Sequence, residues 1–203
     1  MKSGWACVVL VAGPAARPRV IDSRSIELSD PAIAESRQPY HAGFGTARSA
    51  GAGRDRLVAG VRRFGRRSVA GVIREYRELG HHVSRAGVIV GSLIDPKQIA
   101  NDHIRIHAME GRLFREVVCD AAARMGLSCW MCRERDLTAH AAATLKQPQA
   151  ALRRTVAALG EDADGPWRAE HKAAALAAWS VLARRGSSRR AAGTGPTNRK
   201  AGR

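Results

Sequence analysis

The feature that most constrains this chain is the spacing between its first two apolar segments. Residues 4–12 (GWACVVLVA) read as a buried strand. Arg19 to Leu28 (RVIDSRSIEL) reads as a second, with Val20, Ile26 and Leu28 in an imperfect alternation with polar residues. Only a Gly/Pro/Ala turn at 13–18 joins them. So short a link cannot form the crossover that parallel strands need, so the pair is expected to be antiparallel.

From Asp55 the period becomes helical. Leu57, Val61, Phe64, Val72, Tyr76 and Leu79 share one face, and Gly80 supplies a stop. Ala86 to Leu93 (AGVIVGSL) is a continuous apolar run, suited to a strand buried on both faces. Asp95-Pro96 breaks it, and Asn101 or Asp102 is placed to cap a helix running to about Arg124. A short strand over Leu127 to Arg133 follows, then helices over Leu137 to Leu145, Pro148 to Leu159 and Trp167 to Arg184.

A hairpin feeding strand–helix steps predicts an α/β domain. Its mixed sheet would hold an antiparallel N-terminal hairpin and then parallel strands, with helices on its flanks. That domain is expected over residues 1–185, with 31–53 as a mobile Pro/Gly-rich loop and 186–203 as a basic disordered tail.

Charge narrows the partners. The chain carries 34 Lys+Arg against 18 Asp+Glu, a formal net charge of +16. Residues 54–77 hold eight Arg against two acids, and residues 184–203 hold seven basic residues and no acid. Such an excess favours a polyanion, nucleic acid before an anionic membrane surface. No apolar run approaches the ~18 residues of a spanning helix, so an integral membrane protein is not expected, and of the two polyanions nucleic acid rather than a membrane is the expected partner. Lys2 before the run Trp5 to Ala12 mimics a short signal peptide, but its single charge and β-rich content favour a strand, with the cytoplasm as expected compartment. Four cysteines are too few for a disulfide scaffold.

Several constellations carry possible chemistry. Arg56, Arg63, Arg67 and Arg74 lie near one another on the side of the first helix opposite its apolar face, either as a solvated surface or as phosphate contacts. Asp102, His103, His107 and Glu110 form a DHxxxHxxE array whose spacing places both imidazoles on one helical face, with the carboxylate nearby. It either offers two imidazoles and a carboxylate to Zn²⁺ or another transition metal, or is simply a capped helix start. It lacks the Glu that follows the first His in a zinc protease. Cys129 and Cys132 form a CxxC on a strand, where residues three apart face opposite sides, so they are expected to be structural. Trp167 and Trp179 read as core. Gly43-Phe-Gly45 and Gly51-Ala-Gly53 are not followed by the Gly-Lys-Ser/Thr of a phosphate loop, and Tyr40 and Phe44 are the best candidates for stacking on an unpaired base.

The element order and several short stretches resemble the ribonuclease H-like superfamily, and within it the RuvC-type Holliday-junction resolvases. Ser3-Gly4-Trp5-Ala6 is similar to a first-strand stretch of that family, and Val88-Ile89-Val90 to its central strand. Asn101 with Glu110-Gly111 resembles its Asn-led helix, and His171-Lys172-Ala173-Ala174-Ala175-Leu176-Ala177 its final helix. The resemblance implies a nucleic-acid-processing protein, with DNA the first partner and a homodimer left open.

It also implies a pair of Mg²⁺ (or Mn²⁺) ions held by carboxylates. On this chain that role falls to Asp95 and Glu170, with His103, His107 or His171 as a general acid/base or as a group outside the metal ligands, and Arg56, Arg63 and Arg67 holding phosphates. The departures are marked. The family's first-strand acid would precede Ser3, Gly91-Ser92 stands where a Glu is expected, and Ala174 replaces an acid of the final helix. Either the chain is truncated relative to an active ancestor, or the fold has lost or changed its nuclease role. The alternatives are a non-catalytic nucleic-acid-binding or assembly module, or an adaptor whose charge serves solubility.

Overall fold

The turn after the first strand does what its length requires. In a computed structural model describing residues 3–42, 52–161, 163 and 166–191, β1 (Trp5–Ala12) pairs antiparallel with β2 (Arg19–Glu27). The register runs from Trp5 opposite Glu27 to Ala12 opposite Arg19, with an irregularity between Leu10 and Val11. After the loop come α1 (Ala52–Glu78), β3 (Arg85–Val90), α2 (Asp102–Arg124) and β4 (Ser128–Arg133). α3 (Glu134–Leu145), α4 (Gln149–Ala158) and α5 (Ala169–Ala191) follow. β3 and β4 are parallel, Arg85 opposite Ser128 and Val90 opposite Arg133, because α2 provides the crossover.

The mixed α/β architecture is therefore present, antiparallel hairpin and parallel pair included. Among the described residues the two pairs are separate two-stranded ribbons rather than one continuous sheet. Between them lies a cleft of about 250 Å³, walled by Ala6 to Val11 of β1 and by residues 82–91 around β3. Val69, Val72 and Ile73 of α1 and Ala173, Ala174 and Ala178 of α5 also line it.

Two apolar clusters hold the layers together. One joins Leu28 after the hairpin to Val61, Val69 and Ile73 of α1 and to Leu113, Phe114 and Val117 of α2. The other joins Cys132 of β4 to Leu137, Leu152, Val156 and Trp179 of the last three helices. Gly65 lets the first cluster close: a Cβ there would lie 2.6 Å from Val117 Cγ1 and 2.8 Å from the Leu28 carbonyl oxygen. Leu79, expected on the apolar face of α1, is 66% exposed, because the helix ends at Glu78 and Gly80 turns the chain away with φ +84°.

Two boundaries also differ from expectation. The segment expected as a mobile loop contains a 3₁₀ turn at Ala34–Arg37, and Tyr40 packs against the first core cluster; Phe44 falls outside the described residues. Gly186 does not end α5, which continues to Ala191; the remainder of the expected tail is outside the described residues.

Candidate functional site

Three groups of residues carry chemistry, and each is set by an element described above. The first is the outer surface of α1. Arg56, Arg63, Arg67 and Arg74 are all exposed and recur at steps of seven, four and seven, which keeps them in one stripe along the helix. None of the four has a carboxylate partner among the described residues; Arg56 Nε donates to the Ala52 carbonyl at 3.1 Å. Arg62 and Arg66 sit one position around the helix and behave differently. Arg62 Nη2 lies 2.9 Å from Glu116 and Arg66 Nη1 lies 3.6 Å from Asp120, so both are used to bind α2. The two pairs advance together, so α1 and α2 run in the same direction.

The second group is at the start of α2. The Asn101 side chain accepts a hydrogen bond from the Ile104 N–H at 3.0 Å, which starts the helix and orients its first turns. His103 and His107 then stand one turn apart, their Nε2 atoms separated by 3.1 Å. His41 reaches the same place from the segment between β2 and α1, its ring centroid 4.4 Å from that of His107. One ring nitrogen from each of His41, His103 and His107 lies within 4.8 Å of the other two.

Glu110 sits behind them, 2% exposed. Its Oε1 accepts from the backbone N–H of Tyr40 at 2.8 Å and of His41 at 3.2 Å, and lies 3.3 Å from His41 Nδ1. Its Oε2 and His41 Nε2 are buried with no hydrogen-bond partner among the described residues. Burial pushes the Glu110 carboxyl up to about 7, against the lowering effect of the two backbone N–H groups. Burial, and then the neighbouring imidazoles, hold His41 and His107 below the ordinary histidine value.

Of the DHxxxHxxE array, therefore, the histidines converge and the acids do not join them. Asp102 pairs instead with Arg105, and Glu110 grips the loop. His41 is not legible in the sequence because nothing local ties a loop histidine to a helix 60 residues later. Its only signal is its place beside Tyr40 in a segment that packs on the core.

The third group is the expected carboxylate pair, and the structure gives Asp95 and Glu170 different surroundings. Asp95 caps the 3₁₀ turn Pro96–Gln98, accepting from the Lys97 N–H at 3.1 Å, and lies 3.5 Å from Arg112 of α2. Glu170 stands in the first turn of α5 and lines the cleft between the ribbons, as does Glu134; Asp95 does not. Asp95 lies outside the cleft that Glu170 lines, and among the described residues the converging group of three candidate ligands is all imidazole. These residues do not fit the Mg²⁺ pair that the resemblance implies, since Mg²⁺ takes oxygen ligands.

His171 is 3% exposed, with Nε2 3.5 Å from Cys7 Sγ on β1. Burial lowers its basicity, and its Nδ1 meets no hydrogen-bond partner among the described residues. It packs α5 on the hairpin. The CxxC residues, Cys129 half-buried and Cys132 buried, carry free thiols, as does Cys119 nearby.

No known protein family and no curated protein matches this sequence. Among solved structures it is similar to the Thermus thermophilus RuvC structure, with 15% identity, a TM-score of 0.44, and coverage of 89% of this chain and 88% of that one. At that level nothing about activity carries over. No helix among the described residues is long and apolar enough to cross a membrane.

Proposed function

We propose that this protein binds nucleic acid, DNA first, through the phosphate backbone, with Arg56, Arg63, Arg67 and Arg74 as the contact stripe. The observation that carries this reading is the division of labour on α1. Its inward arginines are consumed by carboxylates of α2, whereas the outward four face solvent without any carboxylate partner among the described residues. From Arg56 to Arg74 the stripe extends about 27 Å, long enough to follow several phosphates. Contacts of this kind position a protein on a duplex without reading sequence. The +16 charge of the chain adds a long-range attraction.

Binding without carboxylate-metal cleavage is the reading favoured over an endonuclease, because Asp95 caps the 3₁₀ turn beside Arg112 and does not line the cleft that Glu170 lines. Fluorescence anisotropy with a labelled duplex tests it. Arg63→Ala/Arg67→Ala is expected to weaken binding on the order of tenfold, equally for unrelated sequences. Unchanged affinity in that variant overturns the assignment of the stripe.

A further inference from the structure

We propose that His41, His103 and His107 form a binding site for a zinc-class divalent cation, with Glu110 as the outer carboxylate that orients His41. Three observations converge on it. One ring nitrogen from each of the three residues lies within 4.8 Å of the other two, and Nε2 of His103 and Nε2 of His107 are 3.1 Å apart. Ligands at the Zn–N distance of ~2.0–2.1 Å in a tetrahedral shell are spaced by roughly 3.4 Å, so small side-chain rotations complete the site.

The second observation is the carboxylate. A metal-bound imidazole commonly gives its other N–H to a carboxylate, which fixes the ring and its tautomer. Glu110 Oε1 lies 3.3 Å from His41 Nδ1, so Nε2 is the nitrogen left for a ligand, and it is buried with no hydrogen-bond partner among the described residues. The third is the buried Glu110 itself. A carboxylate 2% exposed, with one oxygen unpartnered, gains a compensating charge from a cation held behind His41.

The donor set decides the class of ion. Three imidazoles suit Zn²⁺, Co²⁺, Ni²⁺ or Cu²⁺ and not Mg²⁺ or Ca²⁺. His103 and His107 are exposed, so the fourth position opens to solvent and is left to water or an anion. The site also has a mechanical consequence: it ties the segment ending at His41 to α2, at the end of that helix lying alongside the start of α1.

The test uses the full chain, freed of metal by chelation and titrated with CoCl₂ and ZnCl₂ while visible absorption and thermal midpoint are followed. A single site is expected, with the d–d bands of low-symmetry nitrogen-ligated Co²⁺, displaced by Zn²⁺, and a raised thermal midpoint that MgCl₂ does not reproduce. His103→Ala and His107→Ala, both at exposed positions, should abolish the bands while leaving the metal-free circular dichroism unchanged. Glu110→Gln should weaken binding about 10- to 100-fold. His81→Ala/His82→Ala, a histidine pair just past the far end of α1, should bind as wild type. The proposal is overturned by absence of binding, by sulfur-to-cobalt charge-transfer bands that assign the ion to the cysteines, or by full binding in the His103→Ala/His107→Ala chain.

Discussion

Gly65 of α1 and Val117 of α2 meet so closely that a Cβ on the glycine would stand 2.6 Å from the valine Cγ1. Because the Leu28 carbonyl oxygen would be 2.8 Å away on another side, neither a rotamer change nor a small helix shift relieves both contacts. Gly65→Ala should therefore destabilise the fold by about 1–3 kcal/mol. Gly71, on the same helix, is the control, because a methyl group added there would meet nothing within 4 Å. Gly71→Ala should stabilise by about 0.4–1 kcal/mol. Urea denaturation of the two variants reads both signs.

The hairpin is tied to α1 by a polar knot as well as by the core. Arg24 makes paired 2.8 Å contacts to Glu75 and a 2.6 Å contact to Asp22, and the buried Tyr76 hydroxyl donates to the same Asp22. Tyr76→Phe removes one donor and leaves Asp22 with Arg24, so the expected loss is about 1 kcal/mol. A wild-type urea midpoint in Tyr76→Phe would show that the Tyr76–Asp22 hydrogen bond contributes nothing to stability.

The separation of the two ribbons has a signature in amide exchange. Each strand in a two-stranded ribbon has one hydrogen-bonded edge, so alternate amides along Ala6 to Leu10 and along β3 have no ladder partner across the cleft. Those amides should exchange with deuterium well before their neighbours in the β1–β2 and β3–β4 ladders. Uniform protection along both strands would mean that the ribbons join in solution.

His171 makes stability depend on pH. Burial lowers its pKa in the folded chain, with Glu170 and Arg168 in opposition as the nearby charges and Cys7 facing it from β1. The unfolded chain takes up a proton near the ordinary histidine value of about 6.5 while the folded chain resists. This contribution is thus complete above about pH 6.5 and is lost as pH falls from there towards the lower folded value. Between pH 7.5 and 5.5, roughly, wild type should lose more stability than His171→Gln. Parallel profiles would remove His171 from the pH dependence.

What the sequence makes legible follows from range. The hairpin is readable because a six-residue link leaves one geometry, and the start of α2 because Asn101 caps it through a contact three residues away. The stripe of Arg56, Arg63, Arg67 and Arg74 follows from helical period alone. The division of the sheet is not readable, since no local pattern says whether β1 and β3 will pair. Nor is the pairing of Asp95 with Arg112, which sits in a helix that folds back across the strand end. His41 is hidden for the same reason: its partners are His103, His107 and Glu110, all more than 60 positions away. The end of α5 lies beyond Gly186 because glycine is a weaker helix breaker than the proline it lacks there.

The most direct test of the account is the salt dependence of duplex binding. Each phosphate contact contributes a slope of about −0.9 in log K against log salt, so Arg56→Ala/Arg63→Ala/Arg67→Ala/Arg74→Ala should flatten the wild-type slope by about 3–4. The same slope and affinity in wild type and the fourfold variant would contradict the account, because the stripe on α1 would then not be where this protein meets nucleic acid.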